Sequence, residues 1–485
     1  MRTGNGGQGR PARPTVAGLR RRSIGAPELT AQSVAVTAPT LSTAAGPASV
    51  AAVTGGGAAL SYVIATAVML LVAYCVSQYT RRVVATGSLY TYAALGFGPR
   101  AAFLAGIGLI IGYGVLAMAA MLLSASHLVH LLPHLGLHIG GTPLIGATAA
   151  LLALAAVGCG LLGITVTARA SLAIEVTAIA LVVGALLALA VSGGAHLDLA
   201  HVLRPAPDWH GGVLGVVLAL TSFVGFESSS ALSVEGRRPQ VSVARAMLRT
   251  VCGAGLLYVL AAALQPRDSG TPLLDLLRTL DPPWVSVLAE VGVAASAFAC
   301  MSGSITALVR LLFALGREGV LPEALGRVRV RHGTPHIALG LSAVSVITVP
   351  AGMLLAGVTV DTAVDQLATL ATFGYLLAYV VVSLSTPLFL RRIGELTRPT
   401  ALAGPLAAAL MATAILLYSS PLVPDGHHGV VRLFLGLVVA GMAWYLPVLL
   451  RRPELVEHVG IRDVPVAADF YDPADLDALS GTRRP

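Results

Sequence analysis

The chain contains no lysine: all 31 of its basic residues are arginines. An ATP-driven pump needs a phosphate loop ending in lysine, and the glycine run Gly55-Gly56-Gly57 has neither that residue nor the context for it. Charge of either sign is scarce. Only 11% of the 485 residues are charged while 56% are hydrophobic, a balance that no soluble domain of this size needs and a polytopic membrane protein requires. The four cysteines, Cys75, Cys159, Cys252 and Cys300, fall inside apolar segments with no metal-like spacing and read as small packing residues. The short outer connections assemble no nucleophile–base pair and no metal set, so an enzyme, a bound metal and a cofactor are not expected. Nothing reads as a basic groove with interleaved aromatics, which removes nucleic acid as a partner.

What the chain has in quantity is apolar runs. By the rule of about 20 residues per spanning helix, about twelve segments qualify, near 30–53, 58–79, 100–128, 144–165, 170–192, 211–233, 243–264, 284–312, 335–357, 367–390, 401–420 and 430–450. The expected fold class is all-α and integral to the lipid bilayer. With the N-terminus inside, the inner connections hold most of the arginines, among them Arg81, Arg82, Arg100, Arg237, Arg238, Arg317, Arg391 and Arg392. The outer ones hold only Arg204, Arg267, Arg278 and, at a helix edge, Arg432. That is the positive-inside pattern for an even number of spans; it puts both termini in the cytoplasm and accounts for the net charge of +8. Residues 1–28, rich in Gly, Pro and Arg, read as a disordered cytoplasmic tail. The Arg20-Arg21-Arg22 run would also suit an export signal, but the many spans that follow favour the tail. Residues 453–485 form a second expected tail.

Two spans are visibly interrupted. In the sixth, Leu220 to Ser230 places Glu227 and a glycine–serine break inside an apolar run. At about 1.5 Å per residue, Glu227 lies roughly 15 Å from Arg237 and Arg238, near the middle of a bilayer about 30 Å thick. A bare charge is costly there, so Glu227 should face a protein partner, water or cargo, or hold a proton. In the first span, Ala38-Pro39 and Gly46-Pro47 are expected breaks, with Thr40, Ser42 and Thr43 between them; each proline frees the carbonyl four residues earlier. Paired interruptions in corresponding positions of two halves point to an inverted-repeat transporter whose cargo site lies where the broken helices meet. Half-helix N-termini attract a carboxylate, and freed carbonyls attract an ammonium or a metal cation.

Other residues carry open alternatives. Glu175 reads either as an ion-pair partner of Arg169 or as a functional carboxylate. Glu290 lies near the outer end of the eighth span, and Ser302, Ser304 and Thr306 near its middle are cation ligands or interhelical glue. Gly108 and Gly112 are spaced for close helix contact, and Tyr113 is a core tyrosine or a cavity-lining group. His127, His130, His134 and His138 gather at the outer end of the third span with no Cys, Asp or Glu beside them in sequence, and are expected to be interfacial rather than metal-binding.

The segments Ser222-Phe223-Val224-Gly225-Phe226-Glu227-Ser228, Glu235 through Pro239, Gly87-Ser88-Leu89-Tyr90-Thr91-Tyr92, and Arg310 through Pro322 resemble the amino acid–polyamine–organocation (APC) permease family over roughly residues 30–450. The resemblance implies a leucine-transporter-like fold: a five-plus-five inverted repeat, 29–192 and 211–390, followed by two extra helices in 401–450. It implies alternating-access transport of an amino acid or related amine across the plasma membrane, coupled to H+ or Na+ or run as exchange. It places the substrate carboxylate near Thr40, Leu41, Ser42 and Thr43, and its amino group at carbonyls around Ser222, Phe223 and Gly225, with Phe223 or Phe226 as a gate. Thr221 stands where certain arginine-exchanging members carry an aromatic, which argues against an identical cationic clamp. Glu227 matches an acidic position common in the family and, with Glu175 and Glu290, is a candidate for proton coupling. A buried lysine in place of a coupling cation is excluded. The alternatives are a same-scaffold permease for another solute, such as an inorganic cation, or a sensor that does not transport.

Overall fold

The computed structural model describes residues 18–192, 202–264, 272–278, 284–329, 333–420, 427–451 and 459–460. Among these residues there is no named strand, and 11 helices are long and apolar enough to cross a membrane. The first expected span, 30–53, is not among the 11 and is present as two helices, each shorter than a bilayer: α1 (Ala26–Thr37) and α2 (Pro39–Thr54). The chain is thus a multi-pass, all-α membrane protein.

The remaining helices follow in order as α3 (Ala58–Thr80), α4 (Leu89–Phe97), α5 (Pro99–His130), α6 (Thr142–Leu162), α7 (Ile164–Ser192), α8 (Trp209–Thr221) and α9 (Pro239–Leu264). After them come α10 (Leu273–Arg278), α11 (Trp284–Arg317), α12 (His336–Leu355), α13 (Val360–Arg392), α14 (Arg398–Tyr418) and α15 (His427–Arg451). A 3-10 segment, Phe226–Leu232, continues the sixth span beyond α8.

Lipid is as apolar as leucine, so burial alone does not bring these helices together; close packing does. The long helices α5, α11 and α13 form the enclosed centre, whereas α6, α14 and α15 expose large side chains such as Leu151, Leu402 and Leu450. At the centre the backbones of α5 and α13 touch. A Cβ on Gly374 would lie 2.4 Å from the Gly108 carbonyl oxygen and 2.7 Å from the Gly112 amide, and a Cβ on Gly108 would lie 2.6 Å from the Gly374 carbonyl oxygen. The expected contact role of Gly108 and Gly112 is therefore fulfilled against α13.

Two expectations are corrected. The second break of the first span, at Gly46-Pro47, does not occur: α2 runs on through Pro47. Gly46 is needed for a close approach instead, because a Cβ there would lie 2.5 Å from the Tyr62 hydroxyl and 3.2 Å from Ser222 Oγ. Residues 18–28 are not free tail. The Ile24 amide donates to the Glu235 carbonyl at 3.1 Å, and the Arg237 amide donates to the Ile24 carbonyl at 2.8 Å, which docks the segment on the arginine-rich end. Residues 1–17, and the C-terminal tail apart from 459–460, lie outside the described residues.

The packing of α5 on α13 gives a direct test. Gly374→Ala should lower the apparent melting temperature in detergent, by an overpacking cost of about 1–3 kcal/mol. Gly253→Ala, where an added Cβ meets nothing within 4 Å, should not lower it. Equal melting temperatures for the two variants would refute the backbone contact.

Candidate functional site

The site is built from two helix interruptions that abut. Between α1 and α2, Ala38 takes a left-handed conformation (φ 48°, ψ 60°) and Pro39 offers no amide. In the sixth span, α8 is capped by Asp208, whose side chain accepts the Gly211 amide at 3.0 Å. That bond holds the exposed Asp208 carboxyl below the usual carboxylate range. The helix stops at Thr221, whose hydroxyl turns back to the Leu218 carbonyl. Gly225 then adopts φ +90°, and a Cβ on it would lie 2.4 Å from Val36 Cγ1 of α1. Only glycine meets both demands.

Interrupted backbone at membrane depth must find partners within the protein. Two tyrosines serve as partners of the sixth span's interrupted backbone, and a third holds the carboxylate beside it. Tyr258 donates to the Ser222 carbonyl at 2.8 Å, and the Tyr379 hydroxyl accepts the Gly225 amide at 3.0 Å while donating to Glu227 Oε2. Tyr113 donates to Glu227 Oε1 at 2.8 Å, so Tyr113 is a partner of the fully buried carboxylate and not a cavity-lining group. Across the other break, the Cys300 thiol faces the Val36 carbonyl at 3.3 Å and Gln32 Nε2 donates to the Gly303 carbonyl at 2.8 Å.

The serines after Glu227 tie the 3-10 segment down one by one. Ser228 donates to the Gln32 carbonyl at 3.0 Å, Ser229 bonds Ser33 at 2.7 Å, Ser230 bonds Ser88 at 2.5 Å, and Ser233 bonds both the amide and the carbonyl of Ala85. Beyond them, Arg310 and Glu235 form a buried two-contact ion pair, at 3.1 and 3.2 Å. These contacts close the way from the breaks toward the arginine-rich end, where a separate hollow lined by Gly316, Arg317 and Arg327 does not include the residues of the breaks.

The opposite end is open. A cavity of about 680 Å³ reaches from Ser42, Thr221 and Ser222 beside the breaks to His127, His130 and Glu290 at the mouth. Of the residues expected at a substrate site, Leu41, Ser42, Thr221 and Ser222 line this cavity. Thr40, Thr43, Phe223, Gly225 and Phe226 stand behind its wall, all buried or, for Gly225, pressed on Val36. Phe223 is pinned edge-on against Tyr258 at 5.1 Å between centroids, and Phe226 packs on Tyr379 at 5.3 Å.

The expected carboxylates separate. Glu227 lies under the breaks and Glu290 at the mouth, while Glu175 accepts from Ser296 at 3.0 Å between α7 and α11. The Arg169–Glu175 pair does not form, since Arg169 stands 3.5 Å from Glu28 instead. Ser302, Ser304 and Thr306 are buried on α11, and the hydroxyl of Thr40 is buried without a hydrogen-bond partner. The view that no acid joins the histidines is corrected: folding brings Glu290 from α11 to His127 and His130 on α5. Sequence reading passed over Tyr258 and Tyr379. The signal available was a hydroxyl inside an apolar span, but the bonds they make cross 36 and 154 residues.

Tyr379→Phe removes a partner from both the Gly225 amide and Glu227, whereas Tyr113→Phe deprives Glu227 alone. At about 1–3 kcal/mol per buried group left unpaired, Tyr379→Phe should lower the melting temperature further than Tyr113→Phe. The reverse order would show that Tyr379 does not bridge the two groups.

Residues 35–421 match the profile of a family described as amino acid permease. The chain is 24% identical to the branched-chain amino acid permease BcaP of Bacillus subtilis (strain 168) over 418 residues, covering 81% of this chain and 86% of that protein. It is 25% identical to the methylthioribose transporter of the same organism, over 69% of this chain and 74% of that one. Human cationic amino acid transporter 4 is 24% identical over 69% of this chain and 54% of its own length.

Proposed function

The chain belongs to the amino acid permease family, and from that premise we propose that it is a secondary transporter carrying an amino acid or related amine by alternating access. The observation that carries the reading is the abutment of two broken spans, at Ala38 and at Ser222–Gly225, under a cavity closed at one end and open at the other. An α-amino acid needs donors for a carboxylate and acceptors for an ammonium within one small volume, and interrupted helices supply both from backbone. In this reading the cargo lies against Leu41, Ser42, Thr221 and Ser222. Thr40, Thr43, Phe223, Gly225 and Phe226 shape the wall behind it.

The closed end is assigned to the cytoplasm, together with both termini, and the open end to the outside of the plasma membrane, in line with the distribution of arginine. Residues 29–192 and 211–390 are taken as the two inverted repeats and 401–450 as the added pair of helices. The family's transporters are not enzymes, and no catalytic step is assigned to this chain.

Coupling is assigned to Glu227. Its two tyrosine donors are neutral, so a proton taken up or released there changes the net charge under the cargo and the bonds of Tyr379, which also holds the break. Glu175 and Glu290 are secondary candidates for the same role. The buried Thr40 hydroxyl without a partner supports a second reading, in which a sodium ion binds between the first span and Ser302, Ser304 and Thr306.

The test is uptake into proteoliposomes of a labelled panel of amino acids and polyamines, with and without a pH gradient, a sodium gradient or unlabelled substrate inside. Saturable uptake of one class is expected, driven by the pH gradient; drive by sodium alone would favour the second reading, and no uptake under any condition would overturn transport. Glu227→Gln should alter the pH dependence of uptake more than protein abundance, and an unchanged profile would remove proton coupling through this residue. Gly225→Leu should abolish uptake with membrane insertion intact, since the new side chain has only the volume of Val36 to enter.

A further inference from the structure

At the mouth of the cavity, the last turn of α5 presents His127 and His130 three residues apart, on one helix face. Glu290 reaches them from α11, and one donor atom from each residue lies within 4.8 Å of the others. His127 Nδ1 and Glu290 Oε1 are both buried, neither makes a hydrogen bond, and they stand 3.5 Å apart. Two ligands on one tetrahedral zinc ion, at about 2.0–2.2 Å each, are separated by about 3.4 Å. His130 is exposed and free to rotate into the third position.

The surroundings favour a cation. His127 and His130 stand in the last turn of α5, near the negative end of its dipole. The competing charge is Arg278 of α10, whose Nη2 lies 3.6 Å from Glu290 Oε1, but Arg278 is half exposed and has a second acid, Asp275, at 2.8 Å. It can keep that partner and leave Glu290. Two imidazoles and one carboxylate, with a fourth position open to the cavity, suit Zn2+ and its neighbours, not Mg2+ or Ca2+.

We propose that His127, His130 and Glu290 bind a divalent transition-metal ion at the mouth of the cavity. The ion cross-links α5 to α11 and narrows the passage to the inner wall, so that its occupancy governs access to the site from this face.

The experiment is a titration of the purified, untagged, full-length protein with Zn2+ against a chromophoric chelator, which reads binding without any assumption about transport. One Zn2+ per chain is expected, not displaced by excess Mg2+, and Co2+ in its place should give the visible absorption of a tetrahedral nitrogen–oxygen site. Loss even of a residue that only supports a ligand weakens such sites by about 10–100-fold, so His130→Ala, at an exposed position that the fold does not need, should weaken binding at least as much. Arg278→Ala should tighten it by removing the competing charge. Absence of binding by the wild-type protein would overturn the proposal. So would affinity unchanged in His130→Ala, which would place the ion on other histidines, or affinity weakened in Arg278→Ala.

Discussion

Backbone that leaves a helix inside hydrocarbon has no water to bond, and each unpaired amide or carbonyl there costs several kcal/mol. This constraint orders the centre of the molecule. The sixth span unwinds over Ser222–Gly225, and the groups it frees are taken up by Tyr258 from α9 and Tyr379 from α13. The first span unwinds at Ala38, and its neighbouring carbonyls meet the Cys300 thiol and the Ser228 hydroxyl. Three helices, α9, α11 and α13, are thus committed to two interruptions. The glycines that let α5 and α13 touch serve the same end, because they hold Tyr379 where the break needs it.

The two ends of the molecule are held by different chemistry. At the arginine-rich end, small serines permit close approach and each hydroxyl finds a partner on another element, so closure is spread over many short bonds and one buried ion pair. At the histidine end the partners are longer and looser, with Arg278 3.6 Å from Glu290 and His127 3.5 Å from it, around an open mouth. The closed end therefore resists local opening far more than the open end does.

Much of this architecture was legible in sequence because a bilayer imposes one length and one solvent on every span. The apolar runs located the spanning helices with ends displaced by up to seven residues, as at 367 against Val360, and Gly225 with Glu227 marked the sixth span as broken. The first span shows where that reasoning stops. Ala38-Pro39 and Gly46-Pro47 look alike locally, yet only the former ends a helix; the latter is a helical segment whose glycine makes room for Tyr62. Partners were not legible at all. Arg310 and Glu235 are 75 residues apart, Tyr379 and Glu227 152, and no local pattern in either segment names the other. The histidines looked incomplete for the same reason, since their acid arrives on a different helix.

The pair Arg310–Glu235 has one further consequence. Both members are buried, so separating them would leave two uncompensated charges away from water, and this end cannot open unless something offsets that cost. Inverting a two-state population from 1:99 to 99:1 takes about 5.5 kcal/mol of preferential binding to the favoured state. Part of that work falls on whatever occupies the space beneath the broken helices, and a ligand that fits the cavity equally well in both states would bind and leave the molecule facing the way it found it.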